Sequence, residues 1–389
     1  MKIVKVETHV VCIPRDSRSM YGGAGSPVEV KDPAVRYSIA STYGTVYGRQ
    51  LEAMLVKITT SDGVYGWGEA QAPVLPEVTR VIVDELLSPL LLSSERTSPI
   101  AVRDFLYSAM RVRGHTGGFY IDALSAVDCA LWDIAGKLCG QPVCRLLGGP
   151  FLQALPTYVS GLRGRTPEEQ LDSFERHLAE GATAVKIFLS STIEACLQLV
   201  DEMRKRAPSI GIFVDALWRL QVTQAIEFAG QLAARGIGWL EAPLSPEDLD
   251  GHRRLARRSQ VRIALGESYR TGNEVLPFLR ARAMEVLQPD IGRSGITEGM
   301  HLASLAKEFH TGMAPHISLG LGPQIAAALQ SAACWPHLEI VECNPDVYAL
   351  ANRLLKEPLR FTPQSIEVPE GPGLGIDLDE AQLARYEKR

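Results

Sequence analysis

TAVKIF (183–188), GIFVD (211–215), IGWLE (237–241), VRIALG (261–266), MEVLQ (284–288), GMAPH (312–316) and LEIVE (338–342) are short apolar runs, each separated from the next by one helix-length segment. Strands of this length alternating with amphipathic helices make βα units, and repeated βα units make a parallel sheet. With LPTYV (155–159) ahead of them the runs number about eight, which suggests a closed barrel and an α/β fold. The first intervening helix opens at Thr166-Pro167, with Glu169 completing a capping box, and ends at Gly181.

A polar residue stands at the C-terminal end of each of these runs: Lys186, Asp215, Glu241, Glu267, Asp290, His316 and Glu342. From first to last there are six steps across 156 positions, about 26 residues each, close to one βα unit. Seven polar groups in phase are therefore expected around one mouth of the barrel, the face on which barrel active sites lie. Three consecutive members, Asp215, Glu241 and Glu267, are acids whose charges repel unless a cation neutralises them. All-oxygen donors favour a hard divalent ion such as Mg²⁺.

Outward from the barrel, KIVKVETHVVCI and LEAMLVKITT read as strands, and Ser61-Asp62-Gly63 as a hairpin turn before VYGWGEA. Ser17 to Pro33, with three glycines and two prolines, reads as a loop, either a lid over a site or plain surface. A long helix starts at Phe119, with Ile121, Leu124, Val127, Leu131 and Ile134 on one stripe. From about Phe361 the chain turns irregular and is expected to return to the N-terminal part. The expected division is 1–125, 126–360 and 361–389.

Composition narrows the function. Of 389 residues 46% are hydrophobic and 22% charged, as in soluble globular proteins. A net charge of −5 argues against a nucleic-acid partner, which calls for a basic surface. Arg253, Arg254, Arg257 and Arg258 have helical spacing and read as a solvated face. Seven cysteines with no C-x-x-C pair point to free thiols in a reducing compartment. With no signal-like start and no membrane-length apolar run, a cytoplasmic protein is expected.

IDALSAVDCALWDIAGKLCGQPVCRLLGG (121–149), VDALWRL (214–220), WLEAPL (239–244), LGES (265–268), QPDIGRSGI (288–296) and APHISLGLGP (314–323) resemble the enolase superfamily, in its mandelate racemase group, over nearly the whole chain. The resemblance implies a modified TIM barrel, (β/α)₇β, under an α+β capping domain built from both chain ends, and suggests a symmetric homo-oligomer. It implies Mg²⁺ held by Asp215, Glu241 and Glu267, a small-molecule carboxylate substrate, and proton removal next to that carboxylate. His316 with Asp290 would be the catalytic dyad and Lys186 would neutralise the substrate carboxylate. Glu342 would be the final-strand acid, a hydrogen-bond donor if protonated, with Glu339 its local rival. Tyr158, Arg219 and Tyr269 are candidate substrate contacts, with a structural role the alternative for each.

The chain departs from that group's pattern in two places. Where the second barrel strand usually ends Lys-x-Lys, it reads Lys186-Ile187-Phe188, so the second base is missing; where Asp-x-Asn is frequent, it reads Asp215-Ala216-Leu217. Residues two apart on a strand share a face, so Phe188 is expected beside Lys186. Racemisation needs proton-moving groups on both faces of the substrate, whereas β-elimination can use one histidine twice. The expected activity is therefore a sugar acid dehydratase, a hydro-lyase. The alternatives are a racemase, epimerase or cycloisomerase, or a metal and carboxylate binder without turnover.

Overall fold

A computed structural model describes residues 2–14, 35–40, 44–164 and 166–388; the glycine-rich loop of Ser17 to Pro33 lies outside them. Fourteen strands occur among the described residues. In the N-terminal part β1 (Ile3–Pro14), β4 (Gln50–Thr60) and β5 (Tyr65–Ala70) form an antiparallel sheet in the order β1-β4-β5, beside a two-stranded ribbon of β2 (Tyr37–Ile39) and β3 (Val46–Gly48). The Asp62-Gly63 turn joins β4 to β5, with Gly63 at φ 79° and its N–H bonded to the Thr60 carbonyl. Helix Gly118–Cys139 packs on β5 so closely that a Cβ at Gly68 would overlap the Ala126 carbonyl, which requires glycine there. Met54, Val56 and Ile58 of β4 share a buried cluster with Ile121, Leu124, Val127, Leu131 and Ile134, the stripe legible in the sequence.

The remaining strands are β6 (Ala154–Ser160), β7 (Ala184–Phe188), β8 (Gly211–Asp215), β9 (Trp239–Glu241), β10 (Arg262–Leu265), β11 (Val286–Leu287), β12 (Gly312–Met313), β13 (Val341–Cys343) and β14 (Ser365–Glu367). The first eight of these are parallel, in the order β12-β11-β10-β9-β8-β7-β6-β13, with one helix in each of the seven intervals between them in sequence. Met313 N–H to the His337 carbonyl and Glu339 N–H to the Met313 carbonyl, 2.9 and 2.8 Å, join the two ends of that order and close the ring. This is a (β/α)₇β barrel. The interval helices carry the signals expected of them; Thr166, for example, caps helix Pro167–Ala179 by accepting from Glu169 N–H.

Inside the barrel the side chains lie in layers, as the two-residue period of strands requires. One layer is apolar: Tyr158, Ala184, Phe213, Trp239, Ala264, Val286 and Ala314, with Ile340 against it. Phe213 and Trp239 stack with ring centroids 3.5 Å apart, and Tyr158 meets Trp239 edge-on at 5.6 Å. The C-terminal residues run outward from this barrel. β14 pairs antiparallel with β6, and further on Lys388 N–H donates to the Val10 carbonyl while His9 Nδ1 meets Glu387 at 2.7 Å. No helix among the described residues is long and apolar enough to cross a membrane.

Candidate active site

Two residues beyond each member of the apolar layer stands one of Ser160, Lys186, Asp215, Glu241, Gly266, Gln288, His316 and Glu342. Side chains i and i+2 share a face, so these residues form the next layer toward the C-terminal mouth. Apart from Gly266 this layer is polar, above the apolar one that holds Ala184, Phe213 and Trp239. Gly266 adopts φ 154° and lies so close to Gln288 that a Cβ would overlap its backbone; Glu267 follows it into the site.

Lys186, 1% exposed, sits among acids: its Nζ is 2.6 Å from Glu241 Oε1, 3.0 Å from Glu342 Oε1 and 3.9 Å from Asp215 Oδ2. Burial alone would push this ammonium down, but the charges of Glu241 and Glu342 outweigh it and hold Lys186 well above its ordinary range. Burial raises Asp215, and the nearby charge of Glu241 raises it further against the pull of Lys186. Glu241 is raised by burial too, with Lys186 opposing. Glu267 goes the other way, to about 2, because His316 outweighs its burial.

His316 Nδ1 lies 2.8 Å from Asp290 Oδ2, and its Nε2 lies 3.1 Å from Glu267 Oε2. Burial disfavours the imidazolium, yet the charges of Glu267 and Glu342 raise His316 well above the ordinary histidine range. Asp290 is fully buried, and its other oxygen accepts from Gly292 N–H at 2.8 Å and Gln324 Nε2 at 3.1 Å. Gln324 is in turn tied to the N-terminal sheet: Glu69, at the end of β5, accepts the backbone N–H groups of Leu321 and Gln324 at 2.7 and 3.0 Å.

Four further side chains of the expected site have protein surroundings of their own in the structure. Tyr158 belongs to the apolar layer beneath the polar one, 0% exposed with no hydrogen-bond partner for its hydroxyl among the described residues, as a barrel core residue is. Tyr269 donates to the Pro246 carbonyl at 2.7 Å and packs on Phe278, which places it between loops as structure. Arg219 donates to the carbonyls of Leu189 and Ser191, bracing the segment after β7. Glu342 accepts from Ser160 Oγ at 2.6 Å and Ile317 N–H at 2.8 Å. Despite burial, Lys186 and His316 push it below the usual carboxylate range. Glu339 pairs with Arg262 at 2.6 Å, away from this layer.

Three participants were passed over in the sequence. Ser160 and Gln288 were findable, being two residues past Tyr158 and Val286 on the same strand face. Trp218, in the loop after β8, donates from Nε1 to Glu267 Oε1 at 2.9 Å. Phe188 is where the period placed it: its ring centroid lies 5.6 Å from Lys186 Nζ.

Among the described residues no three His, Cys, Asp or Glu side chains are gathered into a ready metal cage; Asp215, Glu241 and Glu267 turn to Lys186 and His316 instead. The donor set nevertheless suits a hard dication. All three groups are carboxylates, they end adjacent strands or follow closely on one, and the charges of Glu241 and Glu267 add to burial in raising Asp215.

Fold and site together define a (β/α)₇β-barrel enzyme with an acid-rich mouth. Residues 170–382 match the enolase C-terminal domain-like family and residues 28–148 the mandelate racemase / muconate lactonizing enzyme N-terminal domain. The chain belongs to the enolase superfamily, in the mandelate racemase and muconate lactonizing enzyme family. It is 31% identical to D-galactarolactone cycloisomerase of Agrobacterium fabrum over 347 residues, 86% of this chain and 90% of that one. It is 30% identical to D-gluconate dehydratase of Thermoproteus tenax over 361 residues, 86% of this chain and 69% of that one. A racemase from Streptomyces coelicolor, solved with bound magnesium, superposes with a TM-score of 0.85 at 26% identity, covering 99% of this chain and 100% of that one.

Proposed function

We propose that the chain is a magnesium-dependent hydro-lyase that removes the α-proton of a sugar acid and eliminates water to give a 2-keto-3-deoxy acid. The observation that carries the reading is one complete base, His316 held by Asp290 at 2.8 Å, with apolar Phe188 beside Lys186 where a second base would stand. The D-gluconate dehydratase among the relatives supports the substrate class.

Asp215, Glu241 and Glu267 would hold the ion; when bound, it supplies fixed positive charge to the substrate carboxylate oxygens, on which the second negative charge gathers. Lys186, pinned between Glu241 and Glu342, adds positive charge in the same layer. Asp290 takes the Nδ1 side of His316; Nε2, which meets Glu267 at 3.1 Å here, would be the nitrogen that moves the proton once Glu267 turns to the ion. His316 removes the α-proton, and the C–H electron pair passes into the carboxylate to form an enediolate. That pair returns to make the Cα=Cβ bond as the β-hydroxyl departs, and His316 gives its proton to the departing oxygen, releasing water. The enol left behind tautomerises to the keto acid.

Cycloisomerisation is the second reading, favoured by the 31% identity to the A. fabrum enzyme. It opens with the same proton removal and leaves a product isomeric with its substrate. Incubation with a panel of aldonic and aldaric acids and their lactones plus Mg²⁺, read by semicarbazone absorbance and product mass, separates the two. The expected result is a 2-keto acid lighter by one water; an isomeric product selects the second reading, and silence across the panel sinks both.

A further inference from the structure

Each of the three acids has its two oxygens in different company. Asp215 Oδ1 accepts from Leu217 N–H at 2.8 Å, Glu241 Oε2 from Trp239 Nε1 at 3.1 Å and Gln288 Nε2 at 2.7 Å, and Glu267 Oε1 from Trp218 Nε1 at 2.9 Å. The other oxygens, Asp215 Oδ2, Glu241 Oε1 and Glu267 Oε2, face the cationic groups of Lys186 and His316. A neutral N–H thus fixes one edge of every carboxylate and leaves the opposite edge for positive charge.

Two of those neutral donors are indoles, and both are held in place. Trp239 is fully buried, its ring stacked on Phe213 in the layer below. Trp218 sits on a backbone that non-glycine residues seldom adopt: Leu217 and Trp218 are consecutive left-handed residues, φ 55° and 58°. That conformation is pinned by Trp218 N–H to the Ala242 carbonyl at 2.6 Å and Ala216 N–H to the Glu241 carbonyl at 2.9 Å. Strain of this kind persists where its surroundings enforce it, and here it brings an indole N–H onto an acid of the site.

Resting on the metal reading above, we infer that Trp218 and Trp239 are positioning residues that set the divalent-ion affinity of this chain by orienting Glu267 and Glu241. An indole is a donor only, so it cannot compete as a ligand, and unlike lysine it holds the carboxylate without neutralising it. Groups that orient metal ligands in this way are worth roughly ten- to a hundredfold in affinity.

Replacing tryptophan by phenylalanine keeps an aromatic ring and deletes the N–H. Mn²⁺ is titrated into wild type, Trp218→Phe and Trp239→Phe stripped with EDTA, with free Mn²⁺ followed by electron paramagnetic resonance and metal-free melting recorded in parallel. The expected result is a Kd raised about tenfold or more in both variants, with the metal-free melting temperature of Trp218→Phe unchanged. Wild-type Kd in the variants overturns the inference and leaves the metal reading standing, as does a lowered melting temperature at unchanged Kd. A wild type that takes up no Mn²⁺ overturns both. Should Trp239→Phe fail to fold, Trp218→Phe, in a loop, still decides.

Discussion

Lys186 is the residue on which the electrostatics of the site converge. It is 1% exposed and lies within 4 Å of three acids, two of which, Glu241 and Glu342, are also 1% exposed. Removing one partner of a buried ion pair leaves uncompensated charge in a medium that solvates it poorly, typically a loss of about 3–5 kcal/mol. Lys186→Met is therefore expected to lower the unfolding free energy by about 3–5 kcal/mol in urea titrations with EDTA. Saturating Mg²⁺ should return part of that loss, because a dication opposes the same carboxylates. A deficit equal in Mg²⁺ and EDTA would detach Lys186 from the metal site. Phe188 makes the contrast: it carries no charge, its place on the face of Lys186 was legible from strand periodicity, and the missing second base from the family resemblance.

At the scale of elements, the link that matters runs from the end of β5 to helix Pro323–Ala332. Glu69 caps that helix's N-terminal turn, and Gln324 of the same turn holds Asp290. Burial pushes Glu69 up to about 7, with the Gln324 and Leu321 N–H groups opposing and Asp290 adding to the rise. A carboxyl whose folded pKa is raised keeps its proton in the fold after the unfolded chain has released it. Its stabilisation is complete below about pH 4.5 and is lost as pH rises toward about 7. Urea unfolding of wild type and Glu69→Gln at several pH values between these limits should show a wild-type loss with rising pH of up to about 3 kcal/mol that is absent in the variant. Parallel profiles would contradict the assignment. Nothing in the sequence pointed to Glu69: it ends a hairpin strand 252 positions from Leu321, and no periodicity relates the two. The barrel strands and the ladder were legible because each repeats one local pattern. The roles of Tyr158 and Tyr269 were left open between substrate contact and structure because period two gives the face of a strand and not the depth along it, and says nothing about which way a loop side chain turns.

For the whole molecule, the barrel serves as a frame that stacks an apolar layer beneath a polar one. The strand ends bring together acids that the chain spaces far apart, from Asp215 to Glu342, and Lys186 and His316 supply the cations. In the proposed reaction this layer ionises a carbon acid through His316 with metal help. Proton exchange in D₂O, followed by NMR at the α-carbon of the sugar acids in the panel, tests it most directly. Wild type with Mg²⁺ should incorporate deuterium or form deuterated keto acid, and EDTA should stop it. His316→Asn should slow it by about 10²–10⁴-fold while still binding the metal. Exchange that continues unchanged in His316→Asn, or that ignores EDTA, would contradict the account.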